Sequence, residues 1–273
     1  MTRLGHLGPP GTFGEQAALL YAPSAELVPL PSNGSVVLAV ANGEIELGIV
    51  PIENSLEGAI NETIDTLLAC ESLSVCAELV LSVDQNLIVA EGTSMDEIDV
   101  VISHPQALGQ CRAYLEANLP GVRLEAALST SGAVAQALGS RNTAAIGPRR
   151  AAEVHGGVIL AEAIQDSSQN KTRFIVVGAE DSSPTGDDKT SIACTVPHDR
   201  PGTLIGVLRE LADRGINLTH IETRPSREQL GIYVFFIDFD GHRLEPKAAE
   251  ALAAIQSQSN MFRVLGSYPR FKV

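Results

Sequence analysis

The alternation of short apolar runs with helical repeats, from Arg3 to about Val177, limits the fold more than any other feature of this sequence. The runs LGIVPI (residues 47–52), VVIS (residues 100–103) and RFIVVG (residues 173–178) have the length and composition of buried strands. Between the first two runs, a helical spacing of i, i+4, i+7 and i+8 is seen at Ile60, Ile64, Leu67 and Leu68. Strands that alternate with helices in this way predict a layered α/β domain.

A second domain is predicted after the polar segment of residues 181–188, in which Pro184 and Gly186 are typical of a linker. The residues that follow show apolar patterns in the order strand, helix, strand, strand, helix, strand. The third of these strands alternates apolar residues at Tyr233, Phe235, Ile237 and Phe239. Because βαββαβ is the order of the ferredoxin-like fold, we expect such a domain over residues 189–273.

Composition excludes several classes of partner. The formal net charge is -14 and the lysines and arginines form no run, so no nucleic acid is expected as a partner. No stretch approaches the roughly 18 apolar residues that a membrane span requires. Glycine and proline interrupt the N-terminus before a signal-peptide core can form. We therefore expect a cytoplasmic protein with no membrane partner.

The cysteines do not indicate a metal site. Cys70, Cys76, Cys111 and Cys194 contain no CxxC pair, and no cluster of histidines supplies metal-ligand spacing. Buried thiols that act as small apolar side chains are the expectation. The sequence therefore predicts no bound metal.

Polar residues gather where predicted strands run into predicted helices. Four such junctions are GPPGTFGEQA (residues 8–17), PIENS (residues 51–55), HPQALGQC (residues 104–111) and STSGAVAQAL (residues 129–138). Helix N-termini attract anions, and ligand groups gather at the carboxyl ends of strands, so these junctions are candidate binding positions. Helix capping and simple turns explain the same residue types about equally well. The residues concerned are Gly11, Thr12, Glu53, Asn54, Ser55, His104, Gln106, Ser129 and Thr130.

The segment IQDSSQNKTRF (residues 164–174) carries a polar loop directly into an apolar strand. In a regular strand, Thr172 faces one side of the sheet while Lys171 and Arg173 face the other. An irregular loop would instead allow Thr172 and Arg173 to share one cleft. The sequence leaves both arrangements open, together with that of a solvated loop.

Together these motifs resemble the prephenate dehydratase family, whose signatures stand here as GPPGTF, PIENS, HPQALGQC, Ser129-Thr130, GPRRAAE and NKTRF. The segments RPGTLIGVLREL (residues 200–211) and IETRP (residues 221–225) resemble the two motifs of the ACT-type amino-acid-sensing domain of that family. The resemblance covers essentially the whole chain.

The fold that this resemblance implies is α/β, with a two-lobed catalytic domain over residues 1–180 like the periplasmic-binding-protein architecture. Lobe one would take about residues 1–76 and 162–178, and lobe two about residues 77–161. The active site would lie in the cleft between the lobes, a usual place for a ligand. Residues 189–273 would form the ferredoxin-like ACT domain.

The activity that the resemblance implies is the conversion of prephenate to phenylpyruvate in L-phenylalanine biosynthesis, without a cofactor. Prephenate loses its ring hydroxyl and ring carboxylate together, so the enzyme must chiefly assist the departing hydroxide. In the family this step is tied to the threonine of the TRF motif, which is Thr172 here. Because a threonine hydroxyl is a weak acid, we expect Thr172 to donate a hydrogen bond, with Glu53 or a water supplying the proton.

The two carboxylates of prephenate have opposite requirements. Arg173 and the amides near Gly11 and Thr12 are expected to hold the pyruvyl carboxylate, which survives the reaction. The departing carboxylate favours a neutral surround, because a tight ion pair would stabilise the ground state. Residues that suit this surround are Phe13, Asn54, Ser55 and Phe174. Further candidate ligands are His104, Gln106, Ser129 and Thr130.

The regulation that the resemblance implies is feedback by L-phenylalanine, bound between the ACT domains of two subunits. The assembly expected is a homodimer, or a homotetramer built as a dimer of dimers. The predicted effector residues are Gly202, Thr203, Leu204, Asn217, Leu218, Glu222, Thr223, Arg224 and Pro225. Two alternatives remain for the function: an arogenate dehydratase, which performs the same elimination on the transaminated substrate, and a non-catalytic amino-acid-sensing binding protein.

Overall fold

The structure, a computed structural model, describes residues 1–197, 200–226 and 231–272. Within these residues the strands, in chain order, are β1 (Arg3–Leu7), β2 (Glu26–Leu30), β3 (Leu47–Asn54), β4 (Gly58–Ala59), β5 (Ser74–Ser82), β6 (Asn86–Val89), β7 (Val100–Ser103), β8 (Arg123–Ala126), β9 (Thr143–Gly147), β10 (Val158–Ala161), β11 (Lys171–Gly178), β12 (Asp188–Thr195), β13 (Leu218–Pro225), β14 (Tyr233–Asp240) and β15 (Met261–Pro269). The α-helices are α1 (Phe13–Tyr21), α2 (Asn33–Ala41), α3 (Asn61–Ala69), α4 (Pro105–Gln110), α5 (Arg112–Asn118), α6 (Thr130–Ala137), α7 (Arg149–His155), α8 (Thr203–Ala212) and α9 (Pro246–Gln258).

The chain forms two compact units, each assembled from several chain segments. The first unit comprises Met1–Val36, Ile49–Gly58 and Val80–Phe174, and the second comprises Val37–Gly48, Ala59–Leu79 and Ile175–Val273. A six-stranded sheet has the order β2-β1-β3-β11-β5, with β4 beside β3. The predicted lobe and domain boundaries stay predictions, because these units group residues by contact and not by chain order.

A five-stranded sheet in the first unit has the order β10-β6-β9-β7-β8. Its interior strand β7 lies between β9 and β8 and runs parallel to both. All four residues of β7 are buried, as expected for a strand covered on both faces. Val101 packs with Ile146 in one apolar cluster, and Ile102 packs with Ala133 and Val134 in another. The sheet therefore has apolar packing on both faces, with α6 in one of the two layers.

A four-stranded antiparallel sheet in the second unit has the order β13-β14-β12-β15. Helices α8 and α9 pack on it through a cluster that includes Ile192, Val207, Ile237 and Leu252. The elements follow one another as β12, α8, β13, β14, α9 and β15, so the predicted ferredoxin-like order is confirmed. Together with the two α/β sheets, this confirms the predicted fold class.

Candidate active site

The N-terminus of α1 is occupied by the protein's own groups. Thr12 donates a hydrogen bond to the Leu7 carbonyl at 2.8 Å and accepts one from the Glu15 N–H at 3.2 Å. The buried Glu15 carboxylate accepts from the Gly11 N–H and receives the Arg150 guanidinium at 2.8 Å. Burial alone raises the pKa of Glu15, but the Gly11 amide and Arg150 hold that pKa below its usual value. The Gly11 amide, a predicted substrate ligand, therefore already binds an internal carboxylate.

Gly11 also lies where no side chain fits. Its φ is +86°, and a Cβ there would lie 2.6 Å from Ser131 Oγ and 2.9 Å from Ala151 Cα. Ser131 donates to the Pro10 carbonyl and lies 3.0 Å from His155 Nε2. The segment before α1 thus packs directly against α6 and α7, which explains the need for glycine at this position.

Helices α4 and α6 begin at one edge of the five-stranded sheet, because they follow the parallel neighbours β7 and β8. His104 Nδ1 accepts from the Gln106 N–H at 3.3 Å, and Ser129 Oγ accepts from the Gly132 N–H at 3.0 Å. Both side chains therefore act as N-caps. Among the residues that the structure describes, none bonds the half-buried Thr130 hydroxyl, and the Gln106 side chain is exposed. Thr130 and Gln106 are thus the groups that this edge offers to a ligand.

Four amide side chains and one hydroxyl form a hydrogen-bonded chain in the first unit. Asn54 Nδ2 donates to Thr172 Oγ1 at 2.9 Å and to Asn170 Oδ1 at 2.9 Å. Asn170 Nδ2 donates to Gln110 Oε1 at 3.1 Å, and Gln85 Nε2 lies 3.5 Å from the same oxygen. We call Gln85, Gln110, Asn170 and Asn54 the amide chain. Gln110 is half-buried and the other members are buried, as is Thr172.

Backbone groups fix the orientation of the Asn54 amide. Asn54 Oδ1 accepts from the N–H groups of Leu56 (2.9 Å) and Glu57 (3.0 Å), so Nδ2 must face Thr172. An amide nitrogen only donates, which makes Thr172 Oγ1 the acceptor and turns its proton elsewhere. Within the described ranges, the Thr172 hydroxyl donates no hydrogen bond of its own. The Thr172 hydroxyl can therefore donate a hydrogen bond to a ligand.

Ser55, Phe174 and Phe13 have different surroundings from one another. Ser55 Oγ donates to the Gln169 carbonyl at 2.8 Å and accepts from the Lys171 N–H at 2.9 Å. These bonds tie the end of β3 to the loop that precedes β11. Phe174 is buried in its strand, and Phe13 lines a cavity of about 130 Å³. Ser55 thus holds the backbone directly before Thr172.

Glu53 and Arg173 form an ion pair on the face opposite to that of Thr172. Arg173 Nη1 lies 3.9 Å from Glu53 Oε2. Strand β11 begins at Lys171 and β3 extends through Asn54, so side chains alternate across the sheet at these positions. Asn54 and Thr172 face one side, while Glu53 and Arg173 face the other. The structure does not bring Glu53 or Arg173 to the Thr172 hydroxyl.

Three members of the amide chain, Gln85, Gln110 and Asn170, are absent from the set of residues predicted from the sequence. Gln110 lies in HPQALGQC and Asn170 in NKTRF, so both belong to motifs that carry the family resemblance. The i, i+4 spacing of Gln106 and Gln110 is a usable signal, because it puts both on one side of a helix. Gln85 carries no local signal and reaches the site only through tertiary folding.

The residues predicted to bind L-phenylalanine lie at both ends of the four-stranded sheet. Gly202, with φ +85°, precedes α8, whose first residues Thr203 and Leu204 are half-buried. Asn217 precedes β13 and its Nδ2 lies 3.3 Å from Asp240 Oδ2. Strands β12 and β13 both run antiparallel to β14, so they run in the same direction. Gly202 comes after the end of β12 and therefore lies near the end of β13. Asn217 precedes the start of β13 and therefore lies at the opposite end of the sheet.

Strand β13 is an edge strand of this sheet, and its side chains alternate in burial. The half-buried predicted effector residues are Leu218, Glu222 and Arg224, and the exposed ones are Thr223 and Pro225. Two nitrogens of the Arg224 guanidinium bind the Asp65 carboxylate at 2.8 and 2.9 Å, and a third binds Asn61 Oδ1 at 2.6 Å. Asp65 raises the pKa of Arg224 above its usual value. Arg224 therefore joins the IETRP motif to helix α3.

The cysteines and the metal-binding residue types of the described chain indicate no further site. Burial raises the pKa of Cys76 and Cys194 to about 11 and that of Cys111 to about 12, so these thiols are poor nucleophiles. In the described part of the chain, no three His, Cys, Asp or Glu side chains are grouped to hold a metal ion. The same residues include no helix whose length and apolar character would let it cross a membrane.

The fold and this site define the class of protein: an α/β enzyme whose C-terminal ferredoxin-like domain is an ACT domain, since the ACT family model matches residues 190–256. The family model for prephenate dehydratase matches residues 4–182, which is most of the remaining chain. The chain belongs to the prephenate dehydratase family.

Relatives of known name agree with this assignment. The chain is 41% identical over 274 residues to the prephenate dehydratase of Amycolatopsis methanolica, covering 99% of this chain and 89% of the relative. It is 40% identical over 269 residues to a bifunctional chorismate mutase/prephenate dehydratase of Stutzerimonas stutzeri, covering 98% and 73%. A similar solved structure is prephenate dehydratase from Arthrobacter aurescens in complex with L-Phe, with 34% identity, a TM-score of 0.91 and coverage of 98% and 90%.

Proposed function

We propose that the chain converts prephenate to phenylpyruvate, with Thr172 assisting the departing hydroxide. The observation that carries this proposal is the 2.9 Å hydrogen bond from Asn54 Nδ2 to Thr172 Oγ1. Because this bond uses a lone pair of the hydroxyl, the Thr172 proton points away from Asn54 and is available to a ligand. Family membership supplies the reaction, and Thr172 supplies a donor suited to it.

The reaction breaks two bonds of prephenate. The electron pair of the bond to the ring carboxylate moves into the ring and displaces the hydroxide, which gives an aromatic ring, carbon dioxide and water. A hydrogen bond from Thr172 stabilises the negative charge that develops on the departing oxygen. One proton is consumed when hydroxide becomes water. Because Glu53 faces the other side of β3, its position favours a water molecule as the proton source.

Gln110 offers a second donor to the substrate. Its Oε1 accepts from Asn170 Nδ2, so its Nε2 faces away from the amide chain, and among the described residues it donates no hydrogen bond. We assign Gln110 Nε2, with the Thr130 hydroxyl and the N-terminus of α6, to the surviving carboxylate. This assignment leaves neutral groups for the departing carboxylate. Such a surround favours the reaction, because a tightly bound cation would stabilise the ground state.

The role of Arg173 is separable by substitution. If Arg173 holds the surviving carboxylate, Arg173→Ala raises KM for prephenate about ten- to a hundredfold, because the variant loses a charge-assisted hydrogen bond to the substrate. If Arg173 serves the ion pair with Glu53, the variant lowers Tm and leaves KM nearly unchanged. The opposite faces of Thr172 and Arg173 favour the second result. Steady-state kinetics with thermal unfolding of the same protein sample distinguishes the two roles.

An assay of the purified protein with prephenate and with arogenate tests the proposed function. We expect turnover of prephenate with release of phenylpyruvate, measured by chromatography of the keto acid. A clear preference for arogenate would assign the chain as an arogenate dehydratase instead. Turnover of neither compound would leave the binding-protein alternative and contradict the proposal.

L-phenylalanine is the proposed feedback inhibitor. The similar structure from Arthrobacter aurescens is a complex with L-Phe, and this chain carries an ACT domain. The amides at the N-terminus of α8, beside Gly202, suit the carboxylate of an amino acid, and the side-chain oxygen of Asn217 suits its ammonium. Because these two positions lie at opposite ends of one sheet, the site forms between two chains, in a homodimer or a dimer of dimers.

The proposed organisation is a catalytic domain over residues 1–180 and a regulatory ACT domain over residues 189–273. The match to the prephenate dehydratase family ends at residue 182, and the match to the ACT domain begins at residue 190. This supports a boundary in the polar segment between them. Within the catalytic part, lobe one takes about residues 1–76 and 162–178, and lobe two the residues between. We place the protein in the cytoplasm, where a biosynthetic enzyme meets its substrate.

A further inference from the structure

Asn170 is the most buried member of the amide chain and makes bonds in two directions. It is 2% exposed, compared with 3% for Gln85 and 8% for Asn54. Its Oδ1 accepts from Asn54 and its Nδ2 donates to Gln110. The Asn170 carbonyl also accepts from the Val83 N–H at 2.9 Å. Both the side chain and the backbone of Asn170 are therefore held in place.

The bond directions along the amide chain are set from one end. The N–H groups of Leu56 and Glu57 require Asn54 to turn Oδ1 toward them and Nδ2 toward Asn170. Asn170 must then present its oxygen to Asn54, which leaves its NH₂ group for Gln110. Gln110 in turn must accept with Oε1, so its own NH₂ group faces outward. Each amide orientation follows from the one before it.

We infer that Asn170 is a positioning residue that makes Gln110 a donor toward the substrate while it holds Asn54 against Thr172. The inference rests on the proposed function, because the substrate oxygens are what an outward NH₂ group would bind. Asn170 itself touches no reacting atom. Reversal of its bonding would turn the Gln110 oxygen outward, where it would repel an anionic substrate.

Asn170→Asp tests this role because a carboxylate of nearly the same shape accepts from Asn54 but cannot donate to Gln110. Gln110 should then turn its NH₂ group inward. We expect KM for prephenate to rise about ten- to a hundredfold, while kcat falls less than about threefold because the Asn54–Thr172 contact survives. Adding Gln110→Ala to Asn170→Asp should raise KM little further, since the donor is already lost.

Asn86→Asp is the matched control, because Asn86 is 3% exposed, belongs to the same unit and, among the described residues, bonds backbone groups through its side chain: Nδ2 donates to the carbonyls of Asp84 and Gly147, and Oδ1 accepts from the Ala163 N–H. It measures the cost of burying a carboxylate, and we expect a lower Tm with unchanged KM. If Asn170→Asp does not fold, Asn170→Ala removes the same donor without a buried charge and should raise KM at least about fivefold.

The outcomes separate the inference from the proposed function. A wild-type enzyme without turnover of prephenate would overturn both. The inference alone would be overturned if the wild-type enzyme is active and the KM of the Asn170 variants stays within about twofold of the wild-type value. A KM no higher than that of Asn86→Asp would have the same meaning. Full additivity of Asn170→Asp and Gln110→Ala would do the same, because independent sites add and coupled ones do not.

Discussion

Thr172→Ala lowers kcat for prephenate about a hundred- to a thousandfold and changes KM by less than about threefold. The hydroxyl is aimed at an oxygen whose negative charge grows only as the carbon–oxygen bond breaks, so its loss affects the transition state far more than substrate binding. Removing one such donor typically costs about 2.7 to 4 kcal/mol of transition-state stabilisation. Steady-state kinetics with prephenate measures both constants.

Two further variants control for packing. Thr172→Ser keeps the hydroxyl and should retain most of the activity. Thr143→Ala removes a threonine that is also 8% exposed and also lies in a strand of the first unit, so it reports the cost of losing a buried threonine side chain away from Thr172. A Thr172→Ala enzyme with near wild-type kcat, or one no slower than Thr143→Ala, would remove Thr172 from the mechanism.

The strands and helices could be predicted where a pattern of apolar residues marks them in the sequence. Strand β7 is VVIS, as predicted, because a fully buried strand leaves a continuous apolar run in the sequence. Strands β3 and β11 are longer than their apolar cores and take in Asn54 and Thr172. The Ser55 N–H still donates to the Lys171 carbonyl at 2.9 Å. Pairing with a neighbouring strand thus extends a strand into residues whose types give no strand signal.

The amide chain could not be predicted, because its members meet only through tertiary folding. Asn54 and Asn170 are 116 residues apart, and Asn170 and Gln110 are 60 apart. The motifs identified Asn54 and Thr172 as single candidates but carried no information on which amide bonds which. Gly11 is a different case, because its partner Glu15 is only four residues away in the chain. Its place before a helix suggested an anion site, and the structure shows that the Glu15 carboxylate fills it.

The regulatory motif makes a contact that its sequence does not suggest. Arg224 binds Asp65 and Asn61 near the start of α3, and Arg263 of β15 donates to carbonyls at the other end of that helix. The acceptors of Arg263 are the carbonyls of Leu67 (3.1 Å), Cys70 (2.7 Å) and Leu73 (2.8 Å). Two arginines of the four-stranded sheet therefore hold both ends of α3. This helix begins seven residues after Asn54 of the PIENS motif.

Asp65→Asn should weaken inhibition by L-phenylalanine without preventing its binding. A neutral amide cannot replace the carboxylate that two Arg224 nitrogens bind at 2.8 and 2.9 Å, so α3 no longer follows the position of β13. Allosteric coupling is typically about 1 to 3 kcal/mol, a five- to 150-fold change in affinity. In the variant, we expect L-phenylalanine to change the affinity for prephenate by less than about threefold. The Kd for L-phenylalanine in the absence of substrate should also change by less than about threefold.

Calorimetry in the Thr172→Ala background measures this coupling, because that enzyme should bind prephenate without consuming it. By thermodynamic linkage, prephenate must weaken L-phenylalanine binding by the same factor as L-phenylalanine weakens prephenate binding. Asp65→Asn should reduce both factors together. Asp181→Asn is the control, because it breaks another ion pair of the second unit, to Arg243 at 2.8 Å, that does not involve α3. Equal coupling in the Asp65 and Asp181 variants would show that α3 does not transmit the signal, and loss of L-phenylalanine binding in Asp65→Asn would make Asp65 part of the effector site itself.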